Sequence, residues 1–467
     1  MPVGRITRNG DRIEIVADGE VPNDAARALI DVRGAPGFWT VPASPWHASM
    51  TLRVMAPWTF TVDERVLDLT KFHKRKPRPK LLKGMRPYQK EAVRFITKTD
   101  GHALIGDDPG CGKTISALGY CYADEPSRVL VISPTNVIYK WEAEIKKWLK
   151  RSVAVVPHSR APMPGTDFVL MTYDMARLRE MDVERGDWDL AILDEVHYCK
   201  SRKAQRTQVI EKMSRHVPRI IGLTGHPFLN HHLEMFRPLK IIDGVAFTNY
   251  SNFANRYSTA IEFTTRGNHT WPSRWSGLSN RDELVDRISY TMLRRTKMEI
   301  MPWLPPLTRV PMPLDLPRAM LQEYRDAELE VLRARNPAAK IAILRRMLGR
   351  AKQEITLDWA LDFLEESEEK LVLFAYHKEN VTFLVNSLEK AGYPTDTIVG
   401  DTSAKTRYEK SVRFCEKPNP RVMVISKAAK EGIDLYRASY IWFSEREFVP
   451  GWEEQAEGRL HRDGQQG

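Results

Sequence analysis

The chain has 467 residues, too many for one hydrophobic core, so about two to four domains are expected. Hydrophobic residues make up 42% and charged residues 28% of it, an ordinary balance for a globular protein. No apolar run approaches the ~20 residues that cross a bilayer. The net charge of +11 favours polyanion binding, because counterions released from phosphates drive association, although many basic chains have no such partner.

The cysteines are scattered along the chain, with no CxxC pair and no zinc-ligand spacing: Cys111, Cys121, Cys199 and Cys415. Scattered thiols are typical of a reducing compartment. The first residues also lack the apolar stretch of a secretory signal. The sequence therefore predicts an intracellular protein, which would be cytoplasmic in a bacterium or virus and nuclear in a eukaryote.

Residues 1–70 are predicted to form a small α+β accessory domain. Apolar residues alternate on both sides of the Asn-Gly pair at 9–10, which predicts a β-hairpin. A capped short helix is expected at 23–30, with further strands at 38–42 and 58–62.

Three tryptophans stand out in this domain, Trp39, Trp46 and Trp58. They would stack on exposed bases if the domain met single-stranded nucleic acid. The alternative is that they form the domain core, and we favour it because a very small core needs large side chains.

Residues 71–84 are predicted to be a basic linker. The stretch from 71 to 94 carries ten Lys or Arg residues against one Glu, with Pro77 and Pro79 inside it. A run of like charges is typical both of a solvated linker and of a strap that contacts phosphates, and the sequence leaves both interpretations open.

The rest of the chain is predicted to be α/β, because it contains short, continuous apolar runs that suit buried parallel strands. Residues 85–240 form the first lobe and residues 366–467 the second, with a mostly helical region at 241–365 between them. The runs lie at 129–133, 168–172, 190–194 and 219–224 in the first lobe, and at 370–375, 422–426 and 440–443 in the second.

A candidate phosphate loop spans 107–114, after a short predicted strand and before a predicted helix. Gly110 and Gly112 let backbone N–H groups approach a triphosphate, and Lys113 adds a positive charge. The Thr114 hydroxyl is a ligand for Mg²⁺. Asp107 stands where the usual pattern has its first glycine, so the match is imperfect.

About 80 residues later, the apolar run at 190–193 ends in Asp194 and Glu195. A carboxylate at the end of a buried strand suits a second Mg²⁺ contact, which we assign to Asp194. Glu195 is the candidate general base that polarises the attacking water. His197 is expected to relay nucleotide state rather than to do chemistry.

From residue 85 to 467 the chain resembles the Swi/Snf-type ATPases of helicase superfamily 2, with the motifs in the family's order. The resemblance implies two RecA-like parallel-sheet lobes with ATP bound between them. The motifs that carry it lie at 86–93, 107–114, 133–141, 171–174, 194–201, 223–227, 293–297, 370–377, 400–403, 426–435 and 455–465.

The resemblance, together with the motifs above, assigns roles to individual residues. The cofactor-binding set for ATP is Arg86, Gln89, Asp107, Gly110, Gly112, Lys113, Thr114 and Asp434. The catalytic set is Lys113, Asp194, Glu195, Gln455, Arg459 and Arg462, with Thr114 and Asp194 on the Mg²⁺. The candidate DNA contacts are Thr135, Thr172 and Ser426, and the coupling residues are His197 and Thr224.

Several positions depart from the family pattern. His226 replaces a small hydroxyl residue in the coupling motif, and Asp434 replaces an asparagine. The family's Gly-Gly pair is Ala429-Lys430, and Phe448 stands where tryptophan is usual. These changes affect the expected grip on DNA more than the ATPase. The string at 374–378 and the short linking region resemble the annealing-helicase branch, and residues 20–70 resemble its small substrate-recognition domain.

The function that the resemblance implies is an ATP-dependent translocase that moves along, remodels or reanneals duplex or branched DNA without reading sequence. One alternative is a helicase that separates strands of DNA or RNA. Another is a non-catalytic DNA-binding protein on a motor scaffold, which the presence of Lys113, Asp194 and Glu195 disfavours.

Overall fold

The computed structural model describes residues 4–17, 29, 31–57, 60–228, 231–266, 269–313, 321–322, 324–326, 328–329, 337–426, 433–446 and 450–465. The chain folds as two compact units. The first unit comprises Met1–Asp108, Gly112–Ser133 and Glu144–Thr296. The second comprises Pro109–Cys111, Pro134–Ala143 and Lys297–Gly467.

The amino-terminal part of the first unit is a five-stranded sheet with strand order β3-β4-β2-β1-β5. Its elements are β1 (Gly4–Asn9), β2 (Arg12–Ala17), β3 (Arg33–Ala35), β4 (Phe38–Pro42), α1 (Pro45–Met55), β5 (Phe60–Val62) and α2 (Glu64–Thr70). The predicted hairpin joins β1 to β2 in antiparallel register, with Gly10 at a φ of 55° in the turn. The helix expected at 23–30 falls almost entirely outside the described residues.

The tryptophans of this part serve the core where the structure describes them. Trp39 packs among the aliphatic side chains of the small sheet, and Trp46 packs against the core of the neighbouring parallel sheet. Both are at most 3% exposed. The core interpretation therefore holds for these two, and Trp58 lies outside the described residues.

A seven-stranded parallel sheet forms the centre of the first unit, with strand order β14-β6-β11-β10-β7-β9-β8. Its strands are β6 (His102–Ile105), β7 (Val129–Ser133), β8 (Val153–Val155), β9 (Phe168–Thr172), β10 (Leu190–Asp194), β11 (Ile220–Leu223) and β14 (Met292–Leu293). The helices that alternate with these strands along the chain are α3 (Pro87–Lys98), α4 (Lys113–Asp124), α5 (Ile138–Trp148), α6 (Tyr173–Leu178), α7 (Glu180–Arg185) and α8 (Gln205–Met213). Strands β7 and β10 are fully buried along almost their whole length, as their unbroken apolar runs predict.

The region assigned to the link between the lobes contains helices and also an antiparallel hairpin that the sequence pattern did not reveal. The helices are α9 (Phe236–Ile242), α10 (Tyr250–Tyr257), α11 (Arg281–Ser289), α12 (Lys297–Ile300), α13 (Pro337–Ala351) and α14 (Gln353–Glu366). The hairpin consists of β12 (Thr259–Arg266) and β13 (His269–Ser276). Exposed apolar side chains such as Phe263 show that β12 does not bury one full face, so its apolar alternation is weak.

The second unit contains a four-stranded parallel sheet with strand order β16-β17-β15-β18. Its elements are β15 (Lys370–Phe374), α15 (Lys378–Lys390), β16 (Thr395–Ile398), α16 (Ala404–Glu416), β17 (Val422–Ile425), β18 (Ala438–Phe443) and α17 (Pro450–Leu460). The predicted fold class, α/β with two parallel-sheet lobes, is confirmed. Of the helices described, none combines the length and apolar character needed to traverse a bilayer.

A buried polar network ties the small amino-terminal sheet to helix α11. The Arg287 guanidinium donates to the Asp31 carboxylate at 3.0 Å and lies 4.7 Å from the Trp46 ring centre. Asp31 also accepts from Asn252 at 3.1 Å and lies 3.6 Å from the His47 ring nitrogen Nε2. Because Asp31, His47 and Arg287 are almost completely buried, the small amino-terminal sheet and helix α11 are joined through compensated charges.

We expect His47 to make the protein acid-sensitive. Burial lowers the pKa of His47 from 6.5 to about 4, because the imidazolium cannot be hydrated there and Arg287 adds a like charge that outweighs part of the attraction of Asp31. The unfolded chain therefore binds a proton at a pH where the native state does not. The stabilisation is present above pH 6.5 and is lost as the pH falls to 4, amounting to roughly 3 kcal/mol.

The measurement is the free energy of unfolding from pH 7 to pH 4 in the wild type and in His47→Gln. Glutamine retains a polar side chain that can meet the Ser44 hydroxyl, which lies 2.7 Å from His47 Nδ1, but it does not titrate. The pH-dependent loss should be smaller in the variant by roughly 3 kcal/mol. Identical pH profiles would show that His47 is not the acid-sensitive group.

Candidate active site

The phosphate loop connects β6 to α4 and has the backbone that its sequence predicts. Gly110 and Gly112 have φ values of 88° and 67°, which a side chain disfavours. A Cβ atom on Gly112 would lie 2.5 Å from the amide nitrogen of Gln89. Glycine at 112 is thus required both by the backbone conformation and by the close approach of this side chain.

Lys113 is held across the loop by main-chain oxygens. Its ammonium group donates to Asp107 O at 2.7 Å and to Asp108 O at 3.1 Å. Thr114 follows in the first turn of α4, where unpaired backbone N–H groups and the helix dipole favour an anion. The loop glycines, the ammonium and this helix end fit a triphosphate.

Gln89 is a buried residue at the start of α3. Its side-chain oxygen accepts from the Arg86 backbone N–H at 2.9 Å, which satisfies one of the free donors at the beginning of the helix. Its amide nitrogen is the atom closest to the Cβ position of Gly112. The predicted adenine-reading residue therefore lies against the phosphate loop, while Arg86 beside it is exposed.

Asp107 does not point its carboxylate outward. It is 1% exposed and forms a two-pronged ion pair with Arg295, at 3.1 Å to Nε and 2.6 Å to a terminal nitrogen. Arg295 also donates to Tyr88 O at 3.0 Å and to Glu91 at 2.8 Å. The assignment of Asp107 as a cofactor contact remains a prediction, and the role visible in its contacts is to fix the base of the loop.

Arg294 holds the same loop from its other side. Its guanidinium donates to Gly106 O and, at 3.1 Å, to the Asp108 carboxylate. Both arginines follow β14, which pairs with β6 just before the loop. In the sequence, both arginines stood out only as members of the motif at 293–297. The sequence offered one signal for such a partner, which is that Asp107 stands where glycine is usual. A carboxylate that becomes buried on folding requires a cation beside it.

The carboxylate pair lies at the end of β10. Tyr173 donates its hydroxyl to Asp194 O at 2.9 Å, and the Glu195 N–H donates to the Asp194 carboxylate at 3.0 Å. Glu195 has a φ of 49°, an unusual conformation for a residue with a side chain. Two successive carboxylate residues therefore stand at the end of this strand.

His197 joins the carboxylate to the coupling motif. Its Nδ1 lies 3.2 Å from the Glu195 carboxylate and 3.0 Å from the Thr224 hydroxyl. The Thr224 hydroxyl in turn accepts from the His226 backbone N–H at 3.1 Å. The two predicted coupling residues, His197 and Thr224, are therefore brought together next to the candidate base.

His226, the departure from the family pattern, packs into the same group. Burial lowers the pKa of its imidazole, Lys113 and His197 add to that effect, and the Glu195 carboxylate opposes it. A neutral imidazole in this position adds bulk without adding charge beside the carboxylates.

In the second unit, Arg462 is buried two residues after α17 ends at Leu460. Its Nε donates to Gly458 O at 2.6 Å, and its guanidinium pairs with the Asp434 carboxylate. Asp434 also receives the Lys140 ammonium at 2.6 Å. Burial lowers the pKa of Arg462 to about 10. A Cβ atom on Gly110, a residue of this unit, would lie 2.9 Å from Arg462 Cγ.

For the remaining predicted site residues, the contacts in the structure do not test the predicted roles. Arg459 and Gln455 lie half-buried on α17. Thr172 accepts from Met175 N at 3.1 Å and so caps helix α6. Thr135 is exposed at the start of a short 3₁₀ helix, and Ser426 follows β17, where its backbone N–H donates to Ile398 O at 3.1 Å.

The metal ligands that the resemblance implies are Thr114 and Asp194. A hydroxyl and a carboxylate are oxygen donors of the kind that Mg²⁺ accepts alongside waters and phosphates. Within the described ranges, no group of three or more His, Cys, Asp or Glu side chains has the arrangement of an all-protein metal site. A cation shared with a bound phosphate fits this donor set better than a dedicated protein cage.

Comparison with known families decides the relationship. Residues 88–364, more than half of the chain, match the model of the SNF2-related domain. The chain belongs to the SNF2-related family. A second match, to the helicase conserved C-terminal domain, covers residues 351–464. The resemblance predicted from the motifs is thereby confirmed.

Among individual SNF2-related relatives, "DNA annealing helicase and endonuclease ZRANB3" of Mus musculus is 30% identical over 410 residues, which cover 83% of this chain and 38% of the relative. The Caenorhabditis elegans homolog of "SWI/SNF-related matrix-associated actin-dependent regulator of chromatin subfamily A-like protein 1" is 28% identical over 406 residues, covering 83% of this chain and 58% of the relative. The chain thus spans less than two thirds of either relative.

A solved structure, "Sulfolobus solfataricus SWI2/SNF2 ATPase core in complex with dsDNA", is also similar to this chain. It is 22% identical, with a TM-score of 0.44, and the similarity covers 84% of this chain and 88% of that one.

Proposed function

We propose that the protein is a DNA-dependent ATPase that translocates along duplex or branched DNA and remodels or reanneals it. The observation that carries the proposal is the position of two motifs at the same end of the seven-stranded parallel sheet. The phosphate loop follows β6 and the carboxylate pair ends β10, and only β11 separates these strands. Carboxyl ends of parallel strands meet at one edge, so Lys113 and Asp194 belong to the same site.

Each residue has a distinct task in this proposal. Lys113, Gly112 and the start of α4 bind the phosphates, and Gln89 contacts the base. Magnesium, held by Thr114 and Asp194, would neutralise phosphate charge. Glu195 accepts the proton of the attacking water, while His197 and Thr224 hold that carboxylate in position. Arg459 and Gln455 on α17, and Arg462 just after that helix, are the groups proposed to act on the γ-phosphate.

DNA as the partner is supported by the family and by the charge of the chain. The relatives named above are a DNA annealing helicase and a regulator of chromatin. The net charge of +11 favours a phosphate backbone, which is contacted without reading bases. Thr135, Thr172 and Ser426 are the proposed contacts within the motor. An intracellular location would follow from a DNA partner.

The proposal is tested by phosphate release from ATP in four parallel reactions, with no nucleic acid, duplex DNA, single-stranded DNA or RNA. We expect strong stimulation by DNA and little by RNA. A strand-displacement assay then separates translocation from unwinding, and release of a strand by the enzyme would favour the helicase alternative. Equal rates in all four reactions would exclude a DNA-driven motor, and no hydrolysis in any would favour the non-catalytic alternative.

A further inference from the structure

The basic linker, residues 71–84, is anchored at both ends rather than loosely tethered. Near its start, Phe72 is 3% exposed and packs against the Tyr290 ring at 5.1 Å. Near its end, Leu82 is 7% exposed and packs in a cluster that includes the partly buried Trp148. The backbone between these anchors thus follows a fixed course over the first unit.

Its exposed side is almost purely cationic. From 76 to 80 the sequence alternates Lys, Pro, Arg, Pro, Lys, and the two prolines are half-buried while the three cations are exposed. Prolines donate no backbone hydrogen bond and favour an extended chain, so this segment cannot be absorbed into a sheet. Cations at alternate positions of an extended chain stand about 6 Å apart.

Some of these charges are already compensated and others are not. Lys71 pairs with Asp68 at 2.7 Å, and Lys80 lies 3.4 Å from Glu125. Among the described residues, no ion pair involves four further exposed cations of the linker: Lys74, Lys76, Arg78 and Lys83. Arg75 donates to the backbone oxygen of Asp68. Lys147 and Lys150, also exposed, lie on either side of Trp148 and extend the cationic surface.

The linker lies at the end of the first parallel sheet where its strands begin. The candidate nucleotide site lies at the other end, where the strands terminate. Lys98 at the last turn of α3 contacts the Phe72 ring at 4.4 Å, and Lys80 lies 4.5 Å from the ring of Tyr122 near the end of α4. The phosphate loop is at the beginning of α4, a 12-residue helix about 18 Å long. A polyanion on the linker would therefore not compete for the ATP site.

We infer that the basic linker binds the phosphate backbone of a second DNA segment, separate from the one on which the motor acts. The inference rests on the proposed function and deepens it, because it gives a branched substrate a second attachment. The linker precedes residue 88, where the match to the SNF2-related domain begins, so it lies outside the matched ATPase domain. Uncompensated cations on a backbone that is anchored at both ends suit phosphates and carry no base recognition.

The test compares two fourfold variants of the full chain. In the linker variant, Lys74, Lys76, Arg78 and Lys83 are each changed to Gln, which leaves the buried anchors in place. In the matched control, four exposed cations elsewhere are changed in the same way: Arg215, Lys390, Lys405 and Lys417. Binding to a linear duplex and to a four-way DNA junction is measured across a salt series, together with ATP hydrolysis.

The linker variant should lose on the order of ten- to a hundredfold in affinity for the junction, and its slope of log affinity against log salt should fall by about 2 to 4. Its loss on linear duplex should be clearly smaller, and added DNA should restore hydrolysis. Changing Lys74, Lys76 and Lys83 to Arg instead should retain wild-type binding.

Equal losses on both DNAs, or losses no larger than those of the control, would overturn the inference. Loss of binding to a polyglutamate peptide with DNA binding intact would also overturn it, because the linker would then read protein carboxylates. Failure of the wild type to respond to any DNA would instead refute the proposed function, which keeps the two outcomes distinct.

Discussion

Glu195→Gln should abolish ATP turnover while leaving ATP binding intact. Glutamine has almost the same shape, so the turn after β10 and the contacts of Asp194 are retained. It cannot accept a proton from water, however, and the expected loss of turnover is roughly 10²- to 10⁴-fold. Phosphate release measures turnover, and titration with a fluorescent ATP analogue measures binding.

The matched control is Glu180→Gln, a carboxylate of the same unit that pairs with Lys212 at 2.5 Å on the surface. It should hydrolyse ATP like the wild type, since an exposed ion pair contributes little. Turnover of Glu195→Gln within a few fold of the wild type would remove Glu195 from the role of base. Loss of analogue binding would show that the substitution disturbs the loop rather than the chemistry.

Arg295→Met should strongly destabilise the first unit and weaken ATP binding. The Arg295 side chain is 11% exposed and that of Asp107 only 2%, so the variant leaves a buried carboxylate without its cation. Breaking such a pair costs about 3–5 kcal/mol. The Asp107 carboxylate fixes the loop whose backbone oxygens hold Lys113, so analogue affinity should fall with stability. The midpoint of urea unfolding and the analogue titration are the measurements.

The double variant Asp107→Asn, Arg295→Met separates charge from geometry. It removes the uncompensated charge, so it should recover part of the lost stability. It does not restore the two-pronged anchor, so analogue binding should stay weak. Arg309→Met, which removes an ion pair of the second unit with Glu457 at 2.6 Å from a largely exposed arginine, is the control. Equal stability of Arg295→Met and Arg309→Met would contradict a structural role for Asp107.

The strands of the first sheet were predictable because their signal is local. Continuous apolar runs such as Val129–Ser133 predict buried parallel strands without any knowledge of the fold. The candidate phosphate loop and the carboxylates at 194 and 195 could be singled out because nucleotide chemistry requires those residue types in that order, and their roles stay predictions. The parallel sheets of both lobes followed from the same reasoning.

Other features depend on contacts that no local pattern encodes. Strand β14 has two residues, and its identity comes only from pairing with β6. Asp107 and Arg295 are 188 positions apart, so their ion pair is set by tertiary structure. The hairpin β12–β13 has two register shifts between Ala260 and Phe263 and exposed apolar residues, which hide the alternation that predicts strands.

At Glu195, the backbone conformation lowers the stability of the fold, while the side chain has a proposed role in ATP hydrolysis. Its left-handed conformation, with φ 49° and ψ 52°, costs a residue with a side chain roughly 1–2 kcal/mol relative to glycine. A screen for heat tolerance alone would accordingly reward Gly or Asn at 195 and, under the proposed role of Glu195 as the base, would select stable proteins without ATPase activity. A mutagenesis library designed to raise the thermal stability of this enzyme should therefore keep Glu195 unchanged.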